Sequence, residues 1–384
     1  MKYKGLIITG TSCAGKTTIV AELTRQQTVF KEVQAYTSRA PRPDDNGHYQ
    51  YASKGELESK IQNDEMLTHT EYRQNLYGIA KKEVEKILGM DRVPILVIAP
   101  DSFQKLKKDY LVIFIDADNE KLYERYKHRN GRTEVEQKYK QSIINDRKYA
   151  DKAHYIVKNN HLKATVGLIA FLWDARNSGG GLSQNIIKLM LQCDMLLKNA
   201  SLDKVKGASY DLTLADEYYY GGEIKRLSED SQFLKIEPYD YVIVSCAEHV
   251  ALPKDITANF GLTVGLFCQG IILSNGQQVD PGFRGTLFCL LFNTSNRTVI
   301  IKRNSHYATI EFNKMLGFAP EYKGKNQDKV KIIDYIPANV MQGAINELKK
   351  EIEALKKESK NMQSVYLGVI AVIFAAISIL LVLR

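Results

Sequence analysis

Apolar residues in the first part of this chain come in short, unbroken runs. Gly5-Leu6-Ile7-Ile8-Thr9, Ile95-Leu96-Val97-Ile98-Ala99 and Leu111-Val112-Ile113-Phe114-Ile115 show no polar alternation, as strands buried on both faces require. Helix-like stretches separate them, the first beginning at Thr17, so residues 1–176 read as an α/β domain with a parallel sheet. Asn177-Ser178-Gly179-Gly180-Gly181 breaks the pattern and predicts a linker over 177–181. From 182 to 318 one amphipathic helix (Ile186, Ile187, Leu189, Met190, Leu191) precedes many short strand candidates separated by Gly, Pro, Asn and Asp. That is the pattern of a mainly-β barrel or sandwich. A second linker is expected over 319–338.

Two further segments have patterns of their own. Ile345, Leu348, Ile352 and Leu355, continued by Met362, predict a coiled coil over 339–363. Lys349 and Lys356 fall at e and Glu351 and Glu358 at g, and Ile at a with Leu at d favours dimers. Tyr366 to Leu383 is a run of 18 residues without a charge. At ~1.5 Å per residue it spans roughly 27 Å, which predicts one transmembrane helix over 365–383. A single-pass tail anchor follows, with both domains in the cytoplasm.

Composition changes little. The 384 residues are 44% hydrophobic and 25% charged, ordinary for a globular protein. The five cysteines are scattered, without zinc spacing or a disulfide framework, which suits a reducing compartment. The formal charge of +9 is mostly diffuse, with a cluster at Lys349, Lys350, Lys356, Lys357 and Lys360 beside the expected membrane segment. No nucleic-acid-binding module is visible, so no sequence-specific nucleic-acid partner is expected.

The first strand leads into Gly10-Thr11-Ser12-Cys13-Ala14-Gly15-Lys16-Thr17, which fits G-x-x-x-x-G-K-[ST] between a strand and a helix. Successive N–H groups of such a loop, Thr18 included, converge on phosphate oxygens at a helix N-terminus. Lys16 would bridge the β- and γ-phosphates of ATP, and Thr17 would offer its hydroxyl to Mg²⁺.

Further along stand Thr37-Ser38-Arg39-Ala40-Pro41-Arg42-Pro43, Gly47-His48-Tyr49-Gln50-Tyr51, Glu71 and Tyr77-Gly78. In this order they resemble the guanylate kinase family over roughly residues 3–175. The resemblance implies that Ser38, Arg39, Arg42, Tyr49, Tyr51, Glu71 and Tyr77 bind the acceptor, the two arginines clamping its phosphate. It also implies a lid in which Arg125, Arg129 and Arg132 neutralise the transferring phosphoryl group. The departures matter equally. Ala35 replaces a serine that contacts guanine in that family, Ile79 replaces Ser or Thr, and Val97 and Ala99 replace acidic residues. A site stripped of those groups should select guanine poorly, so the expected acceptor is another (deoxy)nucleoside monophosphate or a sugar phosphate.

Three segments of the second part resemble the dCTP deaminase and dUTPase family of trimeric β-barrels. They are Leu182-Ser183-Gln184-Asn185-Ile186, Ala208-Ser209-Tyr210-Asp211-Leu212, and Val279-Asp280-Pro281-Gly282-Phe283-Arg284-Gly285 with Phe292-Asn293. The family's triphosphate-gripping segment is replaced by Leu262-Thr263-Val264-Gly265-Leu266, and its proton-moving glutamate by Leu290. An aliphatic side chain can neither take a proton nor activate water. Asp280 remains as a nucleotide-site residue.

The expectation is therefore an ATP- and Mg²⁺-dependent phosphotransferase acting on a nucleoside monophosphate or related acceptor, fused to a deoxynucleotide-binding domain of doubtful catalysis. Lys16, Arg39, Arg42, Arg129 and Arg132 would carry the transfer. The resemblance to trimeric barrels favours a trimer over the dimer that the heptads suggest. Two alternatives stay open, an active dCTP deaminase or dUTPase, and a membrane-bound nucleotide-sensing effector such as a phage response would use.

Overall fold

The computed structural model describes residues 3–41, 47–72, 74–130, 136–276, 278–320, 322–336 and 344–382. The first half holds strands β1 (Gly5–Gly10), β2 (Phe30–Glu32), β3 (Ala35–Thr37), β4 (Tyr49–Tyr51), β5 (Met66–Tyr72), β6 (Asn75–Ala80), β7 (Val93–Val97), β8 (Tyr110–Asp116) and β9 (Tyr155–Lys158). Its helices are α1 (Lys16–Gln26), α2 (Lys54–Gln62), α3 (Lys81–Leu88), α4 (Asn119–Asn130), α5 (Glu136–Arg147) and α6 (Leu162–Asp174).

β1 lies at the centre of a parallel sheet ordered β2-β7-β1-β8-β9, with Ile8 opposite Val97 on one side and Ile113 on the other. Every residue of β1 is buried, because alternate side chains enter different cores. Leu6 and Ile8 join Ile19 and Leu23 of α1, while Ile7 joins Leu96, Val112 and the α3 residues Val84 and Ile87. A smaller sheet ordered β4-β3-β6-β5 stands beside this one. Helix α2 packs against it, its first turn closed by a Ser53–Glu56 capping box.

The second half opens with α7 (Gln184–Gln192), which packs on α6. An antiparallel sheet of eight strands follows, with Ser209–Tyr220 and His306–Lys314 paired at its centre. The short helix α8 (Val264–Cys268) and the long α9 (Ala344–Val382) complete the described helices. Tyr210, Tyr307, Phe312 and Ile310 are fully buried in this half, in a core continuous with that of the first.

The described residues of both expected linkers turn out to be packed, with 321, 337 and 338 lying outside them. Gly180 and Gly181 form a short strand against Lys314 and Asn313. A Cβ on Gly179 would sit 2.8 Å from the Lys314 carbonyl, so that glycine serves close approach rather than slack. The described residues within 319–336 strap the second half. Tyr322 meets Phe283 edge-on, Ile332 is 2% exposed, and the Tyr335 hydroxyl donates to the carbonyls of Thr286 (3.1 Å) and Lys329 (3.0 Å).

The C-terminal expectations need correction. The heptad segment is helical within α9, but Ile352, Leu355 and Met362 are exposed and no coiled-coil pairing is shown. Among the described residues no helix is long and apolar enough to cross a membrane, so the transmembrane helix expected over 365–383 is not found. Side chains of that run are described only as far as Ile373.

His154, at the junction of the halves, gives the fold a pH limit. Its Nδ1 accepts the Val112 N–H (2.9 Å), its Nε2 meets the Tyr3 hydroxyl (3.2 Å), and Phe318 covers the ring at 4.8 Å. Burial, aided by Lys107 and Lys254, lowers its pKa from 6.5 to about 3. The native state thus holds His154 neutral where the unfolded chain would protonate it. Its contribution is whole above pH 6.5 and is lost as pH falls towards 3. Urea midpoints measured from pH 7.5 to 4 should fall for the native chain and fall less for His154→Gln.

Candidate functional site

Two glycines with positive φ shape the turn between β1 and α1. A Cβ on Gly10 (φ 135°) would lie 1.9 Å from the Ile115 carbonyl, and one on Gly15 (φ 89°) would lie 2.6 Å from Asn159 Nδ2. Cys13 between them also takes a left-handed conformation (φ 63°). Gly15 is the N-cap of α1 and no side chain caps that helix. With glycine at that position no cap side chain engages the first-turn N–H groups, as suits an anion-binding helix start. Lys16 folds over the loop, its Nζ donating to the carbonyls of Gly10 (2.8 Å) and Thr11 (2.7 Å). Thr17 and Thr18 are exposed on the first turn, and Ala14 is fully buried.

The residues bracing this loop were not legible beforehand. Asn159 Nδ2 donates to the Ala14 carbonyl (2.8 Å). Tyr139 donates to the Ser12 carbonyl (2.9 Å), and Asp146 accepts the Ser12 N–H (3.1 Å). Thr11 donates to Asp116 (3.0 Å), whose carboxylate also takes two N–H groups of Arg147 (2.9 and 3.1 Å). Arg125 departs from its expected lid role. Its guanidinium donates to the carbonyls of Cys13 (3.5 Å), Ala14 (3.3 Å) and Asn159 (3.1 Å), making it a brace beneath the loop. Arg42, Arg132 and the side chain of Arg129 lie outside the described residues.

On the small sheet, Ser38 exchanges two bonds with Leu76, its N–H donating to the carbonyl (3.0 Å) and its hydroxyl accepting the N–H (2.9 Å). Ser38 thus positions β6 rather than presenting a hydroxyl. The Arg39 guanidinium lies 5.4 Å from the Tyr49 ring centre, and Tyr49 meets Tyr77 edge-on at 6.1 Å. The structure therefore brings Arg39, Tyr49 and Tyr77 together. Tyr51, two residues along β4, is 42% exposed.

Glu71 is different. It pairs across the strands with buried Leu76, whereas Thr70 pairs with Tyr77, so strand alternation sends Glu71 to the other face. There its carboxylate faces Lys54 (3.3 Å). The face that carries Tyr77 instead meets the segment after β7. Thr70 donates to Asp101 (3.3 Å), Ser102 donates to the same carboxylate (2.8 Å), and Thr68 donates to the Ser102 carbonyl (3.4 Å). Asp101 is thus an acid near the places where Val97 and Ala99 lack one. The signal was an aspartate two positions past the expected site. Ala35 and Ile79 are buried.

In the second half the Val279–Gly285 turn is formed, with Gly282 at φ 79° and Phe283 buried. Asp280 is exposed, its carboxylate 3.5 Å from Gln278 Nε2. Leu290 lies between Ile243 and Ser274 on neighbouring strands. Where a triphosphate grip was sought, α8 presents Val264 and Phe267, 76% and 68% exposed. A buried carboxylate that sequence reasoning missed, Glu248, accepts from Tyr210 (3.2 Å), from Thr213 N–H (3.0 Å) and from the Thr213 hydroxyl (2.7 Å). With Lys204 at 3.4 Å as well, it is a satisfied structural centre rather than a poised base.

Comparison with known proteins divides the chain at the same place. A family model described as guanylate kinase matches residues 2–174, and one described as dCTP deaminase-like matches residues 182–315. A dCTP deaminase of Thermococcus kodakarensis is 33% identical over 135 residues, covering 35% of this chain and 86% of its own. A guanylate kinase of Hydrogenovibrio crunogenus is 30% identical over 162 residues, 40% of this chain and 79% of its own. Another, of Desulfitobacterium hafniense, is 28% identical over 168 residues, 42% of this chain and 84% of its own.

Proposed function

The chain belongs to the guanylate kinase family over residues 2–174 and to the dCTP deaminase-like family over residues 182–315, and from that premise we propose that its first half transfers a phosphoryl group from ATP to a nucleoside monophosphate or related phosphorylated acceptor other than GMP. One observation carries this reading. The loop with Lys16 stays braced from five directions, while the nearby acceptor sheet joins Arg39 and two tyrosines to Asp101 and two threonines instead of guanine-reading groups. Lys16 would draw the charge of the transferring phosphate, and Arg39 would fix the acceptor's phosphate for attack. Asp101 would accept a hydrogen bond from an amino or hydroxyl group of the acceptor.

The residues present fit Mg²⁺ in a sparse way. Thr17 offers a hydroxyl at the helix start, and among the described residues no three His, Cys, Asp or Glu side chains cluster to hold a metal. Mg²⁺ held chiefly by phosphate oxygens and water needs no more than that. When bound, it would neutralise charge between the β- and γ-phosphates.

For the second half we propose deoxynucleotide binding without the family's deamination, because Leu290 offers no proton acceptor and α8 offers apolar side chains. The test is a panel of nucleoside monophosphates and sugar phosphates with ATP, alongside dCTP and dUTP, with products resolved chromatographically. Turnover of a non-guanine acceptor is expected, with dCTP and dUTP unchanged. Exclusive GMP phosphorylation would overturn the acceptor assignment, and turnover of dCTP or dUTP that Asp280→Asn abolishes would overturn the second.

A further inference from the structure

β9 is the edge strand of the parallel sheet, and the second half finishes that edge. The Lys158 N–H donates to the Cys193 carbonyl (3.3 Å), as a next strand would accept it. The Lys158 ammonium sits between Asp118 of the first half (2.9 Å) and Asp194 of the second (2.7 Å). Tyr155, at the start of the strand, donates to Asp255, which also faces Lys314 at 2.8 Å. Asp255 and Lys314 are 0% and 7% exposed, so the Tyr155–Asp255 bond crosses between halves at a carboxylate that, with its Lys314 partner, lies out of reach of water.

The other end of β9 runs into the phosphate loop. Asn159 follows directly, 4% exposed, with its side chain on the Ala14 carbonyl and its own carbonyl on Arg125, which in turn holds Cys13 and Ala14. Its Oδ1 is buried without a partner among the described residues. The Ala14 contact is therefore the bond its side chain depends on. Across five residues, Tyr155 to Asn159, a loop carbonyl, a domain-crossing ammonium and a buried domain-crossing carboxylate hang on one extended strand. A strand transmits displacement rather than absorbing it, and packed interiors yield in discrete rearrangements.

We propose that β9 couples the phosphate loop to the second half, so that an anion seated in the loop tightens residues 193–198 and 313–319. By linkage, a ligand of the second half changes the affinity of the loop by the same factor. The proposal rests on the loop being the ATP site, and hydrogen–deuterium exchange of the full chain separates the two claims. With Mg²⁺ and the non-hydrolysable analogue AMP-PNP, amides of residues 12–18 report binding. Those of 193–198 and 313–319 report coupling, and should slow by at least about fivefold, the lower end of intersite coupling. In Lys158→Met and Tyr155→Phe the loop should still be protected while the distant effect shrinks. Loop protection with no distant change overturns the coupling and leaves the kinase reading standing. A distant change undiminished in both variants overturns β9 as its carrier. No protection of the loop itself overturns the ATP site and the coupling together.

Discussion

Replacing Lys16 with Ala should lower phosphoryl transfer about 10²–10³-fold, the usual effect of removing one preorganised charge-stabilising group, without unfolding the chain. Its ammonium already lies across the loop, bonded to the carbonyls of Gly10 and Thr11. On the proposed reading, charge is thus held beside the loop that would receive the β- and γ-phosphates before any ligand arrives, and little reorganisation would be needed at the moment of transfer. The fold does not depend on it, since the loop's shape comes from Gly10 and Gly15 and from the braces at Asn159, Arg125 and Tyr139. Steady-state rates at saturating ATP and acceptor, with circular dichroism as the control for folding, check this. A variant within a few-fold of the native rate would mean that transfer does not run through this loop.

The largest effect on stability is expected at Lys314. Lys314→Met should cost about 3–5 kcal/mol, because removing one partner of a buried pair leaves the other charge uncompensated. Asp255 is fully buried, and one of its oxygens has no partner among the described residues. Without the ammonium, among the described residues only the Tyr155 hydroxyl would donate to the carboxylate. Burial, and then the charge of Asp255, holds the Tyr155 pKa well above 10, so that hydroxyl remains a donor throughout the accessible range. Urea unfolding of the full chain measures the loss, and Asp255→Asn combined with Lys314→Met should recover part of it. A loss below about 1 kcal/mol, the range of exposed pairs, would show that the Asp255–Lys314 pair is not shielded from water in the native state.

Much of this was legible in the sequence where local pattern and packing agree. The unbroken runs around Ile7, Leu96 and Ile113 predicted central parallel strands, because burial on both faces leaves no position for a polar side chain. The glycine spacing at 10 and 15 predicted a loop that only those residues can form. What was misread depended on long-range geometry. Glu71 had suitable spacing from Tyr77, yet register decides the face of a strand, and spacing along the chain does not report register. Arg125 stood on a helix where a lid was expected, but its reach is set by how α4 docks over the loop. Asp116 and Asn159 were invisible for the same reason, their partners lying more than a hundred residues away. Gly179–Gly181 read as slack, although glycine serves close approach as readily as freedom.

The packed passage from Arg176 to Leu182 bears on how the two parts can be handled. Gly181 pairs with Asn313, and the Leu182 N–H donates to the Phe312 carbonyl. A chain ended near residue 176 would bare the β9 margin together with the face of α6 that Leu189 now covers. Such a fragment invites strand addition by its neighbours, and aggregation of the isolated first part would say nothing against its chemistry. Swapping the trailing part for that of a relative would succeed only if the residues corresponding to Asp194, Asp255 and Lys314 travelled with it.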